Sequence, residues 1–268
     1  MLQSHLSVQG HTIYYKVWGS GTPVILIHGF AEDSTIWHTQ ALALAAHCKV
    51  IIPDLPGSGL SPFIDGATID TYSAIIYAIA QQETTLPSQK ICVIGHSMGG
   101  YVALAFAEKH PDIINGLGLF HSTAYADTVE KKLARQKAID FIQTHGAFAF
   151  LKEAIPANFT KEYVAAHIDA ITALVLQADY FTDEAIIQYY QNMMDRPDST
   201  HVLQQCTYPV LFIIGKFDAA IPMQQMLAQS HLPNIAVVHI LQHTAHMGMW
   251  EEAGKANELL ISFIGNQC

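Results

Sequence analysis

The chain has 268 residues, half of them hydrophobic and 13% charged, with a formal net charge of −10. Such a length and composition build one large α/β domain or two small ones around a sizeable core, and exclude a disordered chain. The acidic balance and the lack of a long basic run argue against nucleic acid and anionic membrane surfaces, which recruit clusters of Lys and Arg.

The start, Met-Leu-Gln-Ser-His, shows no cationic stretch followed by an apolar one, so no signal peptide is expected. No apolar run approaches the roughly 20 residues that span a bilayer. Cys48, Cys92, Cys206 and Cys268 are scattered, without CxxC spacing, which fits a reducing compartment. A cytoplasmic protein with no membrane insertion is expected; the oligomeric state is left open.

In chain order, Leu6 to Val17 alternates apolar and polar residues around Gln9-Gly10, the pattern of a hairpin. Short, almost wholly apolar runs follow at Pro23–His28, Val50–Pro53, Ile91–Ile94, Ile113–Phe120, Val210–Ile214 and Ala236–Leu241. Runs of this kind fit parallel strands covered on both faces. Helical spacing occupies Ser34–Ala46, Ile69–Gln82, Met98–Lys109, Met223–Ser230 and Glu251–Ile264. The alternation points to a doubly wound α/β sheet. From Ser122 to Gln205 no strand is evident. Helical patterns run on there at Asp127–Thr144, Ala147–Ala154, Lys161–Ala178 and Asp183–Met194. The expected organisation is a core of residues 1–121 and 206–268 with a helical cap of residues 122–205.

The strongest chemical signal is Gly95-His96-Ser97-Met98-Gly99-Gly100, a G-x-S-x-G motif between an apolar strand and a helical run. That strand–turn–helix setting is what the motif requires. The turn is so tight that its flanks must be small, and the serine hydroxyl projects clear of the sheet. A hydroxyl is a weak nucleophile at neutral pH and needs a base within hydrogen-bond reach. Of 15 histidines, the base should lie beyond the last strand. His246 sits just before the final helix and is chosen, with His243 as the alternative. The base needs a carboxylate to fix its tautomer. Asp218 follows the strand Val210–Ile214 and is the acid expected by chain order. Asp127, Asp169, Asp179, Asp183, Asp195 and Asp198 fall in the helical interval and read as a solvated face. The oxyanion donors should be the backbone N–H groups of Met98, after the nucleophile, and Phe30, in His28-Gly29-Phe30. His28 and His96 read as loop-holding histidines. No histidine spacing suggests a metal site, and neither metal nor cofactor is expected.

These residues closely resemble the α/β-hydrolase family with a helical cap, the large set of small bacterial carboxylesterases and their relatives. The features are His28-Gly29-Phe30, Asp54-Leu55-Pro56-Gly57-Ser58-Gly59-Leu60-Ser61, the Gly95–Gly100 elbow, Gly215-Lys216-Phe217-Asp218, and His246 ahead of Glu251. The resemblance implies a mostly parallel sheet of the eight-stranded type with helices on both faces and the cap inserted between late strands. It carries the triad onto Ser97, Asp218 and His246, and the oxyanion donors onto Phe30 and Met98. Asp54 reads as a loop-structuring acid. Ala245 and Ala253 depart from the Gly and Pro that the family often has there. Serine at the elbow disfavours haloalkane dehalogenase and epoxide hydrolase activity, which use aspartate in that place.

The cap is rich in aromatic and sulfur side chains, of which Phe148, Tyr180 and Phe181 are candidates for facing substrate. The expected activity is a carboxylesterase-like serine hydrolase acting on a small, largely apolar ester. Alternatives keep the triad and change the bond, as in C–C hydrolases, lactonases, amidases and cofactor-free perhydrolases, or make the chain a non-catalytic ligand-binding member. Arg135 and Arg196 are the only arginines in the interval and do not suggest a cluster for a polyanionic substrate.

Overall fold

The computed structural model describes residues 1–84 and 89–267. The chain starts with an antiparallel hairpin of β1 (Leu2–Val8) and β2 (His11–Trp18). At its turn Gln9 and Gly10 take φ of 51° and 85°, the two positive values that the tightest hairpins need. Next come β3 (Pro23–Ile27), α1 (His38–Leu44), β4 (Lys49–Pro53), α2 (Ile69–Glu83), β5 (Ile91–His96), α3 (Met98–Lys109) and β6 (Ile114–Phe120). Six helices intervene: α4 (Val129–His145), α5 (Ala147–Ala157), α6 (Lys161–Ala166), α7 (Ile168–Gln177), α8 (Asp183–Asp195) and α9 (Thr200–Gln205). The sheet resumes with β7 (Val210–Gly215), α10 (Met223–Leu227) and β8 (Ala236–Leu241), and the chain closes with α11 (Gly248–Glu251) and α12 (Ala253–Gln267).

The eight strands form one sheet in the order β1-β2-β4-β3-β5-β6-β7-β8. It is parallel from β4 through β8 and antiparallel at the β1–β2–β4 edge. Every residue of β3, β5 and β7 is buried, so these strands are apolar on both faces rather than alternating. The last strand differs. Ala236–Leu241 reads as a covered run, yet Val238 and Ile240 are exposed, because β8 is an edge strand paired with β7 alone.

Several helices are shorter or more broken than their periodicity predicts. Residues 34–46 begin as a 3-10 turn over Ser34–Trp37, capped by the Asp33 side chain on the Thr35 N–H. The helix expected over Lys161–Ala178 breaks at His167 (φ −130°, ψ 38°) with no Gly or Pro to signal it. The closing helix breaks at Glu252 (φ −128°, ψ 50°). At that break Glu251 and Glu252 turn back to bond the loop before them instead of continuing one helical face. Helix α9 went unforeseen. Among the described residues no helix is long and apolar enough to cross a membrane.

Candidate active site

At the carboxyl end of β5 the chain turns sharply into α3, and Ser97 stands at the apex with φ 50° and ψ −117°. A non-glycine residue in that region stores backbone strain, of the order of 1–3 kcal/mol. The sequence permits the turn by omission. A Cβ on Gly95 would lie 2.1 Å from the Gly99 carbonyl oxygen, and one on Gly99 would lie 2.4 Å from that of Ile27. The strained peptide is tied down on both sides: the Ser97 N–H donates to Phe120 O (3.0 Å), and Ser122 Oγ donates to Ser97 O (2.7 Å). The Ser97 hydroxyl makes no hydrogen bond among the described residues.

Asp218 lies just beyond β7 and is buried. Its Oδ1 accepts the Ile221 N–H at 2.8 Å, while Oδ2 faces His246 Nδ1 at 2.8 Å and His121 Nδ1 at 3.1 Å. His246, not His243, lies against the acid; His243 is exposed and its N–H donates to Glu252 Oε2 at 2.8 Å. Burial works against the charge of Asp218, but the His246 charge and the hydrogen bonds from both imidazoles outweigh it and hold the carboxyl below its usual range.

His121 went unnoticed in the sequence. It follows β6 with φ 48° and is fully buried. The Gly248 N–H donates to its Nε2 at 3.3 Å, so the ring proton sits on Nδ1 and is given to Asp218. Burial, stronger than the pull of Asp218, lowers its pKa to about 4, so the ring is neutral. The only sequence trace is the room left for it. A Cβ on Gly215 or Gly248 would come within 2.7 or 2.5 Å of this ring. The ligand atoms of His121, Asp218 and His246 lie within 4.8 Å of one another. With both Nδ1 protons turned onto the carboxylate, the trio is occupied as a hydrogen-bond network.

The loop carrying His246 has its backbone claimed on every side. Ala245 N–H and Met247 N–H donate to Glu251 Oε2, at 3.0 and 3.2 Å. His246 N–H donates to Asn158 O (2.9 Å), between α5 and α6, and His246 O accepts from His96 Nε2 (2.9 Å). The rings of His96 and His246 stand 4.9 Å apart. His96 adjoins Ser97, so this contact brings the elbow and the histidine loop together.

After β3, the Phe30 N–H and the Met98 N–H at the start of α3 have no acceptor among the described residues. The first-turn amides of a helix carry partial positive charge. A Cβ on Gly29 would fall 3.1 Å from Ser97 Cβ, which is how closely the β3 loop approaches the serine. His28 holds this loop: its Nε2 accepts the Leu55 N–H at 3.0 Å. Asp54 accepts the N–H groups of Ser34 and Leu60 at 2.8 and 3.1 Å.

A largely apolar cavity opens beside Phe30 and Met247, walled by Ile36 on one side and by Leu151, Ile155, Phe159, Leu174 and Phe181 on the other. Tyr180 also lines it; its hydroxyl donates to Asp33 (3.1 Å) and accepts the Gly59 N–H (3.0 Å). Phe148 is not in the wall and instead lies under Lys152, whose Nζ is 4.4 Å from the ring centroid. Two readings of the insert need correction. Asp127 is not solvated: it is buried and pairs with Arg135 (2.6 Å) and Arg196 (3.0 Å). The two arginines therefore do converge, because the start of the insert meets the end of α8 there.

The description of an α/β hydrolase fold matches residues 22–124. A solved thermophilic esterase of Thermogutta terrifontis, described as malate bound, superposes with a TM-score of 0.90 at 28% identity, covering 99% of this chain and 98% of that one. A 2-hydroxy-6-oxononadienedioate/2-hydroxy-6-oxononatrienedioate hydrolase of Paraburkholderia phymatum is 25% identical over 270 residues, covering 94% of this chain and 91% of its own length. An uncharacterised protein of Mycobacterium tuberculosis is 35% identical over 113 residues, and that match spans 41% of this chain and 32% of the relative. The family match over residues 22–124 covers less than half of this chain, while the chain as a whole adopts the α/β-hydrolase fold.

Proposed function

We propose that this protein is a serine hydrolase that cleaves a small, largely apolar carboxylic ester through an acyl-enzyme. Ser97 Oγ attacks the ester carbonyl while His246 Nε2 takes its proton, and Asp218 keeps that proton-accepting nitrogen free by holding the other. The N–H groups of Phe30 and Met98 receive the developing oxyanion. The alcohol leaves with the proton from His246. Water, deprotonated by the same imidazole, then cleaves the acyl group from Ser97 as the free acid. The observation that carries this reading is the 2.8 Å contact of His246 Nδ1 with a buried carboxylate, on a loop held against the strained serine elbow. Residues 122–205 act as a cap over the core, with Tyr180 and Phe181 facing the apolar part of the substrate. A cytoplasmic setting fits the scattered cysteines.

Turnover of p-nitrophenyl esters of graded acyl length is the test. Short esters should be hydrolysed, with kcat/KM falling once the chain outgrows the cavity. Folded protein inactive on all of them would remove the ester reading. A second reading keeps the triad and moves it to another bond, such as C–C. The relative named for hydrolysis of 2-hydroxy-6-oxo dienedioates is what favours it.

A further inference from the structure

Three loops converge at the carboxyl end of the sheet, and one buried ion pair touches all of them. Glu32 Oε2 accepts the Gly29 N–H at 2.6 Å and lies 2.9 Å from His96 Nδ1. On the other side of the ring, His96 Nε2 lies 2.9 Å from the His246 carbonyl oxygen. The His96 side chain is fully buried and that of Glu32 is only 10% exposed. A carbonyl oxygen can only accept, so Nε2 carries a proton. A neutral ring would then turn the lone pair of Nδ1 against a carboxylate oxygen. The arrangement is satisfied by an imidazolium beside a carboxylate. The titration directions agree: burial disfavours both charges, yet Glu32 raises the pKa of His96, and His96 lowers that of Glu32.

Each bond of this pair falls at or next to a reacting group. Gly29 precedes Phe30, whose amide is the proposed oxyanion donor; His96 precedes Ser97; and His246 O belongs to the proposed base. There is no slack between them. A Cβ on Gly29 would meet Glu32 Oε2 at 2.9 Å, His96 Nδ1 at 3.0 Å and Ser97 Cβ at 3.1 Å. A buried ion pair is not an economical source of stability, since well-packed apolar groups do as well or better. What apolar groups cannot do is fix the direction of a loop amide and a carbonyl.

We propose that Glu32 and His96 are positioning residues for acyl transfer, a carboxylate–imidazolium clasp that sets the oxyanion loop, the nucleophile elbow and the His246 main chain in one register. The proposal rests on the serine-hydrolase reading above. It predicts that losing the charge of Glu32 disturbs the transition state more than substrate binding, because misplacement of reacting groups by about 1 Å can cost on the order of 100-fold in rate.

The experiment compares wild type, Glu32→Gln and Ser97→Ala on a short p-nitrophenyl ester, with thermal unfolding as a folding control. Nitrogen-15 NMR of histidine-labelled wild type at pH 7 reads the charge of His96 directly. Expected are two ring N–H signals for His96, and a Glu32→Gln protein that is folded, with kcat down roughly 10–100-fold and KM within about threefold. A neutral His96 in wild type, or folded Glu32→Gln with kcat within about twofold of wild type while Ser97→Ala is dead, overturns the clasp. Wild-type turnover in Ser97→Ala is a different failure, since it removes the serine mechanism itself.

Discussion

The loops at the carboxyl end of the sheet and the helices between β6 and β7 meet at His246, yet they are held by different forces. The loops are polar and buried. His28, His96, His121, Asp218 and His246 are all nearly inaccessible, and their side chains bond one another or the backbone of a neighbouring loop. Three of their non-glycine residues, Ala31, Ser97 and His121, sit at positive φ. The insert packs through apolar helix faces, with Ile139, Ile142, Leu151 and Ile171 turned inward. It reaches the core by a few side-chain bonds, such as Gln188 to Ile64 O and Asn192 to Ala67 O. Damage should therefore register as lost rate in the loops and as lost stability in the insert.

Asp218→Asn should give the largest effect. The asparagine amide would favour the wrong tautomer of His246 and cut kcat by on the order of 10⁴, with KM changed far less. A near-normal kcat on the same ester would mean that another acid orients the base.

Asp127→Asn tests the other side. It leaves Arg196, buried to 7% exposure, and Arg135 without their shared carboxylate. Breaking a buried pair costs about 3–5 kcal/mol, to be read as a lower urea midpoint. Activity per folded molecule should fall much less than in Asp218→Asn. If instead rate collapses with stability intact, the contrast between the two regions fails.

His121 ties the stability of the loops to pH. Its folded pKa, lowered to about 4, lies below the ordinary 6.5. Between these values the unfolded chain binds a proton that the folded one refuses, so stability is full above pH 6.5 and is lost as pH falls toward 4. One fully buried group shifted this far accounts for about 3 kcal/mol. The difference in unfolding free energy between wild type and His121→Gln should therefore depend on pH inside that window and be flat above it. A pH-independent difference would show that His121 is charged in the folded protein.

Much of this was legible in the sequence for physical reasons that are local. Doubly buried strands are short and apolar, and a serine at the apex of a strand–helix turn demands small flanks at Gly95 and Gly99. What escaped depends on partners far along the chain. His121 drew no notice because its meaning lies in Asp218, 97 residues away, and in Gly248. Glu32 was overlooked because its partner is His96. Asp127 was assigned to solvent because Arg196 reaches it only after five helices have folded. Helix breaks at His167 and Glu252 escaped because no breaker residue marks them. Glu252 leaves the helix to serve His243 and Thr244.

A Ser97 nucleophile activated by His246 should react with a fluorophosphonate, and peptide mapping of the product tests for it. A single adduct on Ser97 is expected, formed at least about 10³-fold more slowly in His246→Ala. An unlabelled wild-type protein that is folded and hydrolyses esters, or equal labelling of Ser97→Ala, would contradict it.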